Sequence, residues 1–183
     1  EEVPKLYAQQ NKISFEESYS KVTLEYKKLG KDDINWYLPS FWFKHFRLNK
    51  DPKLILKDLH HKVKLFPDAI PVLKELSKKY LMIVLTHSSK EMNKIKMETE
   101  NISQYFDRII STVEDLNATK KTTSVYNYVL KHYELNPSEM VHVGDDWEFD
   151  YLAPKKIGIR AFYLDRKGEK KGENVVNNLN EFM

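Results

Sequence analysis

The stretch that decides the fold of this chain reads Met140-Val-His-Val-Gly-Asp-Asp-Trp-Glu-Phe-Asp150. A short apolar run ends at Gly144, and four acidic residues follow within six positions. Two like charges about 4 Å apart near a protein surface repel each other by roughly 4 kcal/mol, so such a group requires positive charge among its members. The pattern indicates either a divalent-metal site with oxygen ligands suited to Mg²⁺ or an acidic turn in which Asp145 or Asp146 caps the next helix.

Composition and charge limit the classes to which the protein can belong. Its 183 residues fit one domain, or one domain with a small appendage, and a hydrophobic fraction of 41% is sufficient for a core. The net charge of +3 comes from lysines scattered along the chain, so we expect no nucleic-acid partner. The absence of cysteine, of a membrane-length apolar stretch and of a signal peptide predicts a cytoplasmic protein without a membrane partner.

Residues 1–65 have the sequence pattern of helices only. Ser14 and Glu17 have the spacing of a capping box, and the apolar residues after them recur at three- and four-residue steps. Gly30 is typical of a helix end, and Asp51-Pro52 predicts another helix start. We therefore predict an N-terminal domain that is all helical.

From Phe66 onward, short apolar runs alternate with helical segments, and a last helix is predicted over residues 175–182. Continuous apolar runs are typical of strands buried on both faces of a parallel sheet. Alternation with helices predicts an α/β fold, with a Rossmann-like parallel sheet core over residues 66–183. The predicted strands are residues 81–85, 108–111, 140–143 and 159–164.

Polar residues follow two of these predicted strands. Thr86 and His87 follow the first strand, the acidic group follows the third, and Lys120-Lys121 lies between them in a loop that opens a helix. Ligands of open parallel sheets bind beyond the carboxyl ends of the strands. A hydroxyl group and an ammonium group can hold phosphate oxygens there, while carboxylates hold a metal.

Each of these residues alone has an ordinary structural interpretation. Thr86 is typical of a helix cap, and Lys120 and Lys121 are typical of a protein surface. His142, inside a predicted strand, is interpreted as a core or edge residue. Only the order and spacing of Thr86, Lys120 and the acidic group favour a joint site.

The region from about Phe66 to the C-terminus resembles the haloacid dehalogenase (HAD) superfamily of phosphatases and related hydrolases. The strand over residues 81–85 followed by Thr86 resembles the second motif of that family, a Ser or Thr that binds the transferring phosphoryl group. The family often has Asn at the next position, where this chain has His87.

The third and fourth motifs of the family have counterparts as well. Lys120 and Lys121 stand at the places of a Lys-Pro pair that opens a helix, and the register favours Lys120 as the motif lysine. Residues 144–150 fit the Gly-Asp-x-x-x-x-Asp form of the metal motif. On this resemblance Asp145 binds Mg²⁺ directly, and Asp150 orients the metal shell or Lys120.

The resemblance implies a Mg²⁺-dependent phosphatase that acts on a small phosphorylated metabolite through an aspartyl-phosphate. It assigns phosphate binding to Thr86, His87 and Lys120, and catalytic roles to Thr86, Lys120 and Asp150. The nucleophilic Asp of the family, at the end of the first strand, has no counterpart in residues 1–65. We expect it in a segment before Glu1, with residues 1–65 as the helical cap and the missing strand central to the sheet, where its absence would leave unpaired edges.

Two other functions are compatible with the pattern. A 2-haloacid dehalogenase needs no metal, and the dense acidic group argues against it. A non-catalytic relative would bind a phosphorylated ligand or a protein partner; a phospho-receiver domain, for instance, has its acid pair before the Thr and the Lys, whereas here the acids follow both. The substrate and the oligomeric state are not encoded in any motif that we find.

Overall fold

The computed structural model describes residues 2–182, and its N-terminal part is helical as predicted. Short 3₁₀ turns connect the helices at Ile34–Tyr37 and Leu59–Lys62. The four helices are α1 (Glu2–Asn11), α2 (Phe15–Leu29), α3 (Pro39–His45) and α4 (Pro52–Asp58).

Local capping explains where α2 begins and ends and where α4 begins. The Ser14 hydroxyl accepts a hydrogen bond from the backbone N–H of Glu17 (3.1 Å), and the chain leaves α2 at Gly30 with a φ of 76°. The Asp51 carboxylate accepts from the N–H of Lys53 (2.9 Å). These predicted helix boundaries are confirmed.

The buried face of α2 differs from the predicted apolar stripe. Val22 is buried as expected, but Phe15 and Tyr19 are exposed. The residue that accompanies Val22 on the face toward α1 is Ser18, whose hydroxyl donates to the carbonyl of Pro4 at 2.6 Å. The small side chain and its hydrogen bond allow α1 to approach closely, which the apolar periodicity alone does not reveal.

The remainder of the chain alternates strands and helices. Further 3₁₀ turns lie at Ser103–Tyr105, Pro137–Glu139 and Leu179–Phe182, and a π-helical turn lies at Trp147–Leu152. The regular elements are α5 (Ala69–Leu76), β1 (Ile83–Thr86), α6 (Lys90–Thr99), β2 (Arg108–Ser111), α7 (Thr112–Asp115), α8 (Thr123–His132), β3 (Val141–Gly144), α9 (Ala153–Lys155), β4 (Arg160–Leu164) and β5 (Val175–Val176).

The strands form two sheets. One sheet contains β1 and β2, and the other has the order β3-β4-β5. Both pairings in the second sheet are parallel, with Gly144 opposite Tyr163 and Tyr163 opposite Val175. Parallel strands joined by helices confirm the predicted α/β class. That a further strand completes the core remains a prediction.

The predicted helix over residues 175–182 is wrong. Val175–Val176 is a short strand, because the backbone N–H of Asp165 donates to the carbonyl of Val176 at 2.8 Å. The preceding Asn174 has a φ of 58°, which is incompatible with a helix that starts there. Two adjacent β-branched residues fit a half-buried strand well.

The chain forms two compact units. The first contains the helical residues up to Lys64 together with residues 85–101 and 109–119, and Val22, Trp42 and Phe43 are buried in it. The predicted domain boundary between residues 65 and 66 stays a prediction.

Between residues 2 and 182, no helix has both the length and the apolar character that a bilayer crossing requires.

The second unit contains residues 65–84, residues 102–108 and the chain from Lys120 onward. Its core includes buried residues of α8 and β4, and the ring of Tyr126 on α8 contacts His142 on β3. The buried residues there include Val125, Tyr126, Val129, Ile159 and Ala161.

Asp68 stands at the start of α5 in this second unit. Its Oδ2 accepts from Arg166 Nη1 at 2.9 Å and from the N–H of Leu179 at 2.7 Å. Asp68 thus ties α5 to the C-terminal segment instead of capping the helix with its own side chain.

Candidate functional site

The strand β3 carries the chain to the edge of the sheet where the acidic group begins. Successive side chains of a strand point to opposite faces, so His142 and Gly144 share one face of β3. Asp145 and Asp146 follow Gly144 directly, and both are exposed. The four acids then separate into different environments.

Asp146 is the residue that caps the turn after β3. Its Oδ1 accepts hydrogen bonds from the N–H groups of Glu148 (3.0 Å) and Phe149 (2.8 Å). The predicted helix near Phe149 therefore begins earlier, as the π-helical turn over Trp147–Leu152. Of the two candidate caps, Asp146 has this structural role.

Asp150 points back over Gly144. Only 1% of Asp150 is exposed, and its Oδ2 accepts from the backbone N–H of Asp146 at 3.2 Å. A Cβ atom built at Gly144 would lie 2.5 Å from that Oδ2, closer than real Cβ contacts allow. Glycine is therefore required here by the close approach of the carboxylate.

Two basic side chains meet the other oxygen of the Asp150 carboxylate. Lys121 Nζ forms an ion pair with Oδ1, and His142 Nε2 lies 3.0 Å from the same oxygen. Lys121 itself is only 9% exposed. The hydroxyl of Tyr126 lies 3.5 Å from Oδ1 and donates to the carbonyl of Phe149 at 2.7 Å.

The electrostatics of this cluster keep Asp150 ionised. Burial alone would raise its pKa, but the hydrogen bond with His142 and the charge of Lys121 hold the pKa of Asp150 well below its usual range. The pKa of Tyr126 is raised, first by burial and then by the charge of Asp150, so its hydroxyl remains a donor. A buried carboxylate that is paired in this way provides a fixed anchor for the lysine ammonium.

The structure brings Lys121 to Asp150. Lys120 lies exposed one residue earlier. The ammonium of Lys121 thus supplies positive charge to one member of the acidic group, Asp150. The sequence register favoured Lys120 as the motif lysine, and that role of Lys120 stays a prediction. A signal was present in the spacing, because Lys121, Val125 and Val129 are four residues apart and all three are buried.

The residues at the end of β3 fit a metal ion only in part. Within residues 2–182, no three His, Cys, Asp or Glu side chains are grouped so that they could hold one. Asp145 is an exposed carboxylate at the strand end, whereas Asp150 is occupied by Lys121 and His142. Because Mg²⁺ often takes one or two carboxylates and keeps several waters, Asp145 fits as one ligand.

Thr86 and His87 belong to the first unit and stand at the end of β1. Thr86 Oγ1 accepts from the N–H of Ser88 at 3.2 Å, and the His87 ring lies 5.8 Å from the ring of Tyr37. The cap of α6 is Ser89, which accepts from the N–H of Met92 (3.3 Å), so Thr86 is not that cap. A common site of Thr86 with the lysine and the acids remains a prediction.

The chain is similar to several known proteins. The solved structure of a HAD phosphatase from Thermococcus onnurineus superposes with a TM-score of 0.82 at 26% identity, covering 98% of this chain and 86% of that one. Haloacid dehalogenase-like hydrolase domain-containing protein 3 of Danio rerio is 32% identical over 78 residues, which are 39% of this chain and 32% of that protein. The ribulose-1,5-bisphosphate 5-phosphatase of Halopiger xanaduensis is 27% identical over 106 residues, 57% of this chain and 44% of that protein.

The matched residues span less than half of the length of these two relatives. The family model described as "Haloacid dehalogenase-like hydrolase" nevertheless matches residues 5–164, most of the chain. The strand end with Gly144 and Asp145, and the buried lysine–aspartate pair behind it, lie within that match. The chain therefore belongs to the haloacid dehalogenase-like hydrolases.

Proposed function

We propose that this hydrolase is a Mg²⁺-dependent phosphatase that cleaves the phosphate ester of a small phosphorylated metabolite. The observation that carries the proposal is the buried ion pair between Lys121 and Asp150 beside the exposed Asp145. This combination presents a fixed cation and a carboxylate at one strand end, which suits an anionic phosphoryl group and its metal.

Lys121 is the residue that we propose for phosphoryl binding, in place of Lys120. An ammonium group has three N–H donors, so its pairing with Asp150 leaves donors for phosphoryl oxygens. Because Asp150 is held by Gly144, Asp146 and His142, the ammonium would stay in place without reorganisation during the reaction.

Asp145 is the residue that we propose as a ligand of Mg²⁺. A bound Mg²⁺ would neutralise negative charge that develops on the phosphoryl oxygens. Thr86 and His87 are proposed as further contacts to the phosphoryl group, on the resemblance of their strand end to the second motif of the family.

The proposed reaction passes through an aspartyl-phosphate. A carboxylate oxygen forms a bond to phosphorus, the bond to the ester oxygen breaks, and the alcohol leaves with a proton. Water then attacks phosphorus, the bond to the carboxylate oxygen breaks, and inorganic phosphate leaves as the carboxylate is restored. We assign the nucleophilic role to none of residues 2–182.

Two relatives support phosphatase chemistry over other hydrolase reactions. The relative from Halopiger xanaduensis is a ribulose-1,5-bisphosphate 5-phosphatase, and the solved structure from Thermococcus onnurineus is a HAD phosphatase. The name of the Halopiger xanaduensis protein gives ribulose-1,5-bisphosphate as its substrate. That compound is a small phosphorylated metabolite, the substrate class that we propose here.

The test is hydrolysis of an aryl phosphate by the full-length protein, with Mg²⁺ and with the metal removed by EDTA. We expect turnover that depends on Mg²⁺ and is abolished by Asp145→Asn, while Asp146→Asn, next to it, retains most of the activity. Metal-independent release of halide from a 2-haloacid would instead establish a dehalogenase. Binding of phosphorylated compounds without turnover of either substrate would favour the non-catalytic alternative.

A further inference from the structure

The side chain of His142 contacts the proposed phosphoryl-binding pair without being part of it. It lies on β3, on the same face as Gly144, and its Nε2 is 3.0 Å from Asp150 Oδ1. The Lys121 ammonium pairs with that same oxygen. Oδ1 of Asp150 therefore accepts hydrogen bonds from two basic side chains.

The direction of the hydrogen bond follows from the chemistry of the carboxylate. An ionised carboxylate has no hydrogen to donate, so Nε2 of His142 must carry the hydrogen. The ring is fixed in turn by packing against Tyr126, with centroids 5.1 Å apart and an interplanar angle of 76°. Of the His142 side chain, 12% is exposed, so water competes little for this donor.

Three donors together determine the position of the carboxylate. The N–H of Asp146 fixes Oδ2 at 3.2 Å, and His142 and Lys121 fix Oδ1. The Tyr126 hydroxyl is too distant from Oδ1 (3.5 Å) to replace His142, because it is directed to the carbonyl of Phe149. Without His142, Lys121 would be the main donor on Oδ1, and the two side chains would be able to shift together.

We infer that His142 is a positioning residue of the active site, which acts through Asp150 to hold the Lys121 ammonium where the phosphoryl group binds. This inference rests on the proposed phosphatase function. It assigns a role to a strand histidine that the sequence pattern favours as a core or edge residue. His142 does not touch the substrate, and its contribution is the hydrogen bond from Nε2.

The experiment compares two substitutions in the full-length protein. His142→Gln retains an N–H donor near the position of Nε2, whereas His142→Phe retains a ring against Tyr126 and removes the donor. We expect His142→Phe to lower kcat for an aryl phosphate about ten- to a hundredfold, since a misplacement of about 1 Å can cost roughly a hundredfold. KM should change little, and His142→Gln should restore kcat to within a few-fold of the wild type.

A role in packing alone predicts the opposite order, with His142→Phe active and His142→Gln impaired, and that order would overturn the inference. Equal loss in both variants would overturn it as well. If His142→Phe does not fold, His142→Met serves as the variant without a donor.

A second measurement separates this inference from the proposed function. If the wild-type protein hydrolyses no phosphate ester, the proposed function fails, but carbon-13 NMR of the Asp150 carboxyl still reports on His142. His142→Phe should raise the pH at which Asp150 takes up a proton, and His142→Gln should not. Identical titration of Asp150 in the wild type and both variants contradicts the inference.

Discussion

The carboxylate of Asp150 lies against the Cα of Gly144, and a Cβ atom at position 144 would be 2.5 Å from Asp150 Oδ2. The chain thus folds back between Gly144 and Asp150, so that the buried carboxylate contacts the glycine at the end of β3. This contact places the carboxylate within reach of Lys121 and His142. The position of the proposed catalytic lysine therefore depends on the absence of a side chain at residue 144.

Substitution of Gly144 by Ala should destabilise the second unit. We expect a loss of about 1–3 kcal/mol in the free energy of unfolding, the usual cost of extra volume in a packed interior. The measurement is urea unfolding of both proteins. Gly172→Ala is the control, because a Cβ there would lie 3.5 Å from Val175, an ordinary contact, and should change stability little. Equal stability of Gly144→Ala and the wild type would contradict the described contact.

Loss of the Asp150 charge should cost more than loss of a charge at the surface. Asp150→Asn leaves the ammonium of Lys121 buried without its counter-ion, for which about 3–5 kcal/mol of stability is expected. The matched control is Glu17→Gln, which breaks an exposed pair with Lys21 (2.8 Å) and should cost at most about 1 kcal/mol. Chemical denaturation of the two variants measures both values, and a similar cost for both would show that Asp150 is not buried with its lysine.

The stability that Asp150 provides should disappear in acid. Its pKa is lowered in the folded protein, because the hydrogen bond with His142 and the charge of Lys121 outweigh the effect of burial. In the unfolded chain its pKa is ordinary, about 3.9. As the pH falls below about 4, Asp150 therefore binds a proton in the unfolded chain but not in the folded protein, and unfolding becomes more favourable.

The difference in unfolding free energy between the wild type and Asp150→Asn isolates this effect. It should be largest near neutral pH and shrink as the pH falls through the ordinary aspartate range. Asp68 titrates in the same window, because hydrogen bonds from Leu179 and Arg166 lower its pKa against the effect of burial, but its contribution cancels in the difference. A difference that stays constant or grows in acid would contradict the assignment.

Substitutions of the neighbouring acids Asp145 and Asp146 should separate an effect on activity from an effect on stability. Asp146→Ala removes the cap of the π-helical turn and should cost about 1 kcal/mol, measured by thermal or urea unfolding. Asp145→Ala removes an exposed carboxylate and should leave stability nearly unchanged, while it abolishes hydrolysis of the aryl phosphate. If Asp145→Ala also lost about 1 kcal/mol and kept its activity, the two roles would have been assigned to the wrong residues.

Local signals in the sequence predicted the fold class and most element boundaries. Ser14, Gly30 and Asp51 act within one turn of their helices, so their roles are readable from their neighbours alone. The apolar run before Gly144 likewise predicted a strand. The segment from Val175 was misread because its pairing with β4 is a contact between distant residues.

The sequence predicted a candidate site after β3, but it did not predict which residues contact Asp150. The acidic group was identified, yet the assignment of one acid as a cap and another as the partner of a lysine depends on how the chain turns after Gly144. The choice between Lys120 and Lys121 depends on which of them is in line with the buried face of α8, where Val125 and Val129 lie. The contact of His142 with Asp150 follows from strand alternation, which places His142 and Gly144 on one face.

The comparison of two adjacent lysine variants tests the central claim most directly. The full-length protein would be assayed for Mg²⁺-dependent hydrolysis of an aryl phosphate after Lys121→Ala and, separately, after Lys120→Ala. We predict that Lys121→Ala lowers kcat/KM by about a hundred- to a thousandfold, as expected for a lost contact to the transferring group, while Lys120→Ala remains within a few-fold of the wild type. Full activity of Lys121→Ala, with the loss found in Lys120→Ala instead, would contradict the assignment of the buried pair to the active site.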